Sequence, residues 1–212
     1  MDRRELLKMI AVLTGGVVIG GEVFLTGCKA GGNADVGFTA ANISLLDEID
    51  VTIIPTTGTP GAKAAAVGEF MKVMVTDCYT EAQQTAFTNG IVSLDEACKK
   101  ANGKSFMDCT PVQRHDFLIS LEKEAKEFNT KRDEADKPKR EANDKANSAL
   151  AWKDQKEFEG SPSHYYTMMK QLTLLGFFTS KSGMTETLRH MAVPGKYDGA
   201  FPYAKGDKAW AE

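Results

Sequence analysis

Pro55 stops a run in which Leu45, Leu46, Ile49, Ile53 and Ile54 recur at helical spacing, and this punctuated run constrains the fold more than any other feature. A residue ahead of proline is pushed out of the α region, so the spacing predicts a helix over 44–54 that ends there. Asp47, Glu48 and Asp50 are expected on its solvated face. The turn-forming stretch Thr56-Thr57-Gly58-Thr59-Pro60-Gly61-Ala62 follows. A second helix is expected over 67–78, with Val67, Phe70, Met71 and Met74 on one face. Thr80-Glu81 opens a third that continues to about Ala101. Thr110-Pro111 opens a fourth, with threonine as N-cap, proline in the first turn and Phe117, Leu118 and Leu121 inward. No run alternates with the period of a strand, so the expected class is all-α, a helical bundle.

Residues 122–159 differ in kind: 11 acidic and 10 basic residues fall within them. Pro138 is expected to interrupt any single helix there. The mixed charge reads as a solvated helical arm or hairpin, with a partner-binding charge zipper as the other reading. The last helices are expected over 162–178 and 185–190. They deliver an irregular C-terminal loop, Pro194-Gly195-Lys196-Tyr197-Asp198-Gly199-Ala200-Phe201-Pro202-Tyr203, which holds turn formers and aromatics but no helix or strand period. Of the chain's 18 aromatic residues, 10 lie from Trp152 onward, a bias that suits an interface as well as a core.

The chain opens Met1-Asp2-Arg3-Arg4-Glu5-Leu6-Leu7-Lys8, which fits a twin-arginine export signal. A mostly apolar segment then leads to Leu25-Thr26-Gly27-Cys28, a lipobox in which the Cys28 thiol takes a diacylglycerol. The expected organisation is therefore a signal peptide over 1–27, a lipidated tether over 28–42 and one helical domain over 43–212, with 122–159 as its arm. The expected place is the periplasmic side of a bacterial envelope, lipid-anchored. A formal net charge of −3 provides no basic field for nucleic acid.

With Cys28 lipidated, Cys78, Cys98 and Cys109 remain. Cys78 and Cys98 would stand at opposite ends of a helix, roughly 27 Å apart at 1.5 Å per residue. Cys98 and Cys109 flank a short connection, so they are the expected disulfide, with Cys78 buried and reduced. His115, His164 and His190 lack metal-ligand spacing, so no metal or cofactor is assigned to the chain. No phosphate-cradling glycine motif and no nucleophile elbow is present. His190, beside the C-terminal loop, is the one candidate proton shuttle, and it has no second polar group at useful spacing. No catalytic residue is assigned.

The runs Phe177-Phe178-Thr179-Ser180-Lys181-Ser182-Gly183 and Val193-Pro194-Gly195-Lys196-Tyr197-Asp198-Gly199, with Ile53-Ile54-Pro55-Thr56-Thr57-Gly58-Thr59-Pro60-Gly61-Ala62, resemble the small subunit of membrane-bound gluconate 2-dehydrogenase, subunit 3. Gly58 stands where that family commonly has Asp. The matched part runs from about Ser44 to Tyr203, leaving the charged arm aside. The resemblance implies a non-catalytic helper of a large flavoprotein of the glucose–methanol–choline (GMC) oxidoreductase class. FAD would then lie in that partner, haem c in a multihaem cytochrome as a third subunit, and export would use the twin-arginine translocase. It makes Thr179, Ser180, Gly183, Pro194, Gly195, Tyr197, Asp198, Gly199, Phe201 and Tyr203 the expected partner interface. The competing reading is a stand-alone envelope lipoprotein that binds carbohydrate on the aromatic C-terminal surface.

Overall fold

The computed structural model describes residues 38–193, 195 and 198–211. Arg3, Arg4, Cys28, Pro194 and Tyr197 lie outside the described residues. Five α-helices are present among them: α1 Ala40–Ile53, α2 Val67–Cys78, α3 Glu81–Asn102, α4 Pro111–Asn147 and α5 Tyr165–Thr179. The fold is all-α.

Helix α1 starts at Ala40, ahead of the expected Ser44, because the Thr39 side chain caps it by accepting from Asn42 N at 3.2 Å. Thr80 and Thr110 open α3 and α4 with reciprocal capping boxes to Gln83 and Gln113. Gly103, at φ 70°, closes α3. Helix α5 is apolar on nearly every face and packs against all four other helices. The core forms around it from Leu46 and Ile49 of α1, Met71 and Val75 of α2, Phe87, Ile91 and Leu94 of α3, and Leu118 and Leu121 of α4.

Helix α4 corrects one expectation. It runs unbroken through Pro138 for 37 residues, about 55 Å at 1.5 Å per residue. Proline inside a helix costs about 3 kcal/mol or more. The offset comes from the returning segment 155–163, which straps α4 along its outer half. Asp136 accepts from Ser161 N at 2.7 Å, Ser161 Oγ at 3.2 Å and Lys139 Nζ at 3.0 Å. Those bonds, the Ser161 amide first, hold its carboxyl down at about 2. Asn143 and Asn147 donate to the Lys156 carbonyl at 3.2 and 2.8 Å, and Lys156 N donates back to Asn147 Oδ1 at 3.0 Å. Arg140 lies over the Phe158 ring. These contacts hold the strap against α4 on both sides of Pro138. The arm is thus one helix with an extended strap.

Two further expectations change. The segment 162–164 is extended, and α5 begins at Tyr165, capped by the His164 ring. Residues 185–190 are not an α-helix: a π-helical turn spans Gly183–Thr187, then strand β1, Arg189–His190, pairs in parallel with β2, Trp210–Ala211. Among the described residues no helix is long and apolar enough to cross a membrane.

Candidate functional site

The C-terminal segment folds back so that β2 lies beside β1, with Arg189 N donating to Ala209 O at 2.8 Å. This pairing creates a cup of about 350 Å³ lined by Arg189, Asp198, Gly199, Phe201, Tyr203 and Trp210. The Arg189 guanidinium stands 4.8 Å from the Trp210 ring centroid and 5.4 Å from that of Phe201. The two rings meet edge to face at 5.4 Å. A half-buried guanidinium held by two aromatic faces is pre-organised rather than free to swing, and the rings supply the apolar area on which interface anchors depend. Tyr203 remains 78% exposed and Phe201 49% exposed, so the cup presents bare aromatic surface.

The expected interface residues divide into two groups. Asp198, Gly199, Phe201 and Tyr203 come together at the cup, and exposed Gly195 sits at φ 75° in the loop leading to it. Thr179, Ser180 and Gly183 act inside the chain. Thr179 Oγ1 donates to Leu175 O at 2.6 Å. Ser180 Oγ donates to Phe177 O at 2.7 Å and accepts from Gly183 N at 3.0 Å. Gly183 is buried, and a Cβ there would overlap the Phe177 carbonyl oxygen and stand 2.8 Å from its carbon. The close approach that this glycine permits is therefore to its own chain. Arg189 and Trp210, the centre of the cup, carry no signal in a linear reading because they meet only through a two-residue pairing.

The carboxylates of α1 do not form a solvated face. Asp47 accepts from Gly68 N at 3.1 Å, capping the first turn of α2. Glu48 pairs with Arg114, whose Nε and Nη2 donate to Phe106 O at 2.9 Å and Met107 O at 2.7 Å. Asp50 is fully buried. Its Oδ1 accepts from Thr173 Oγ1 of α5 at 2.6 Å, and its Oδ2 has no partner among the described residues. Burial raises its pKa to about 7, opposed by the Thr173 hydrogen bond and reinforced by Asp47. Each carboxylate is engaged by another helix, which i,i+4 spacing alone does not show.

Cys98 and Cys109 are both buried, with their sulfurs 3.6 Å apart as thiols. Cys78 is exposed, contrary to expectation, because it ends α2 on the side away from the core. His190 is exposed on β1, and its ring has no hydrogen-bond partner among the described residues. Among those residues no cluster of three or more His, Cys, Asp or Glu is placed to hold a metal ion.

Comparison with curated proteins and with solved structures yields no match. The sequence pattern of the gluconate 2-dehydrogenase subunit 3 family matches residues 40–195. That match runs straight through the charged arm, which the motif resemblance had set aside, and stops before the Phe201–Trp210 half of the cup. It covers every α-helix described here, and the chain belongs to the gluconate 2-dehydrogenase subunit 3 family.

Proposed function

We propose that this chain is the non-catalytic small subunit that binds, co-exports and anchors an FAD-dependent GMC-class sugar or gluconate dehydrogenase in the bacterial envelope. The observation that carries the reading is the family match over residues 40–195. The Arg3-Arg4 pair and the Leu25–Cys28 lipobox support export and anchoring. A flavoprotein that takes up FAD while folding must cross the membrane folded, and twin-arginine transport carries folded cargo. The cup is the docking site: an aromatic pair, an ordered arginine and an exposed tyrosine suit a partner's surface. A multihaem cytochrome c would receive the electrons.

Deleting residues 194–203 in the native host is expected to strand the flavoprotein in the cytoplasm while the helices still form. Cell fractionation with flavin absorbance reads the outcome, and a flavoprotein that still reaches the envelope rejects the docking site. In the same compartment Cys98 and Cys109 close to a disulfide, giving two protons and two electrons to an envelope thiol oxidase. Intact mass should then fall by two hydrogens, and non-reducing peptide mapping should join these two cysteines. Bridging of Cys78 instead, or no bridge, would refute this.

A further inference from the structure

Helix α4 runs antiparallel to α5, and its outer half projects past the end of the bundle. Glu122 pairs with Lys170 at 2.9 Å, while Asn129, two turns on, donates to Thr167 Oγ1 at 2.8 Å and accepts from His164 N at 3.0 Å. Residue 129 is thus level with the start of α5, and from there to Asn147 the helix runs on for about 27 Å. The described chain begins at this same end. Phe38 is buried against the Phe87 ring at 5.9 Å, and Gly90, one turn further along α3, meets Tyr165, the first residue of α5. The arm therefore projects from the end of the bundle at which the tether joins it.

The tip of the arm is unlike the rest of it. Among residues 122–159, 11 are acidic and 10 basic, yet Ala146-Asn147-Ser148-Ala149-Leu150-Ala151-Trp152 carries no charge, and Lys145 and Lys153 flank it. Trp152 is 86% exposed and Leu150 45% exposed. The turn that presents them is held fast. Leu150 N and Gln155 Nε2 donate to Asn147 O at 2.9 and 3.3 Å, Gln155 Nε2 also donates to Leu150 O at 3.3 Å, and Asp154 N donates to Ala151 O at 2.8 Å. These carbonyls are satisfied from within the turn, which lowers the cost of taking the tip into a medium poor in water. A tryptophan and a leucine between two lysines suit a membrane–water interface, where the indole sits at headgroup level and the lysine stems carry their ammonium groups out to the phosphates.

Length decides what covers the tip. Phe38 is ten residues on from Cys28, a span of at most about 35 Å when fully extended. On the lipid-anchored reading above, on which this step rests, the bilayer surface lies within that distance of the tethered end of the bundle. The arm reaches about 27 Å past the same end, so the tether lets the surface come level with the tip and scarcely further. Charges from 144 to 157 balance, Asp144, Asp154 and Glu157 against Lys145, Lys153 and Lys156, so no field singles out a protein of opposite sign. We propose that the arm is a strut whose tip, Leu150 and Trp152, enters the headgroup region of the bilayer that holds Cys28. The second contact turns a flexible tether into a fixed orientation. It leaves the cup, which follows the C-terminal end of α5 through Gly183–Thr187, at the end of the bundle far from the membrane.

The test uses the mature lipidated chain, purified from membranes of the native host and placed in vesicles of phosphatidylcholine and phosphatidylethanolamine. Intact mass reads the diacylglycerol on Cys28. Trp210→Phe leaves Trp152 as the sole indole, and its emission should shift to the blue and be quenched by phosphatidylcholine brominated near the top of its acyl chains. Trp152→Phe, at an exposed position with no demand on folding, leaves Trp210, which should be neither shifted nor quenched, and the wild type should lose only the Trp152 share. Added salt should change none of this, because the charges at the tip balance. A lipidated, vesicle-bound chain whose Trp152 stays unquenched overturns the strut and leaves the anchor standing. A chain without lipid on Cys28 removes the anchor and the strut with it. Quenching of Trp210 instead, or a Trp152 shift that needs the flavoprotein rather than lipid, also overturns the proposal, the latter by making the tip a protein contact.

Discussion

Gly90→Ala is expected to destabilise the protein by roughly 3 kcal/mol, although alanine is the better helix former by about 1 kcal/mol. Gly90 is buried in the middle of α3, where α5 crosses it. A Cβ there would overlap Cβ and Cγ of Tyr165 and stand 2.9 Å from its Cδ2. The Cβ of Tyr165 is bonded to the α5 backbone and cannot swing aside, so the helices themselves must separate. Separation opens gaps around Phe87, Ile91 and Met169, all fully buried at present, and close-packed interiors tolerate such gaps poorly. Thermal unfolding followed by far-ultraviolet dichroism should show a midpoint lower by about 10 °C, at 2–4 °C per kcal/mol for a domain of this size. Gly58→Ala is the matched control, since nothing lies within 4 Å of its added Cβ. It should change stability by under about 0.5 kcal/mol. Equal midpoints for the two variants would disprove the close α3–α5 crossing.

The second large effect is in pH. In the folded chain the Asp50 pKa is about 7, against 3.8 for an ordinary aspartate. Between those values the folded state holds a proton that the unfolded state has released. The contribution of Asp50 to stability is therefore full below about pH 4 and is lost as pH rises toward 7. Three units at 1.36 kcal/mol each put the loss at roughly 4 kcal/mol. Asp50→Asn keeps the oxygen that accepts from Thr173 and cannot ionise. Urea midpoints measured from pH 4 to 8 should decline in the wild type and stay nearly level in the variant, which becomes the more stable of the two at pH 8. Parallel declines would show that another group carries the effect.

The helices that bury one clear face were legible in the sequence. Helix α2 occupies 67–78 as its apolar spacing indicates, and α3 follows its capping threonine to Asn102. Pro138 misled because local propensity speaks against a helix, while the compensating partners, Ser161 and Lys156, lie far along the chain. Asp50 misled for a related reason: its spacing is that of a polar face, and the α5 hydroxyl that accounts for its burial lies 123 residues away. Of the residues expected at an interface, those in the loop stood out in the sequence only as turn formers and aromatics. The β1–β2 pairing that gathers them around Arg189 is too short to leave a periodic trace.

The positions of the two tryptophans decide what this protein's intrinsic fluorescence can report. Trp152, 86% exposed, sits just past the end of α4, and Trp210, 40% exposed, sits in the cup. Neither is in the core, so both indoles already meet water in the native state and their emission should shift little when the bundle melts. Covering the cup, by contrast, would move the Trp210 indole into an apolar setting. A blue shift on adding a second protein would report association with almost no background from folding, and replacing Trp152 by phenylalanine would leave a single optical probe of the cup.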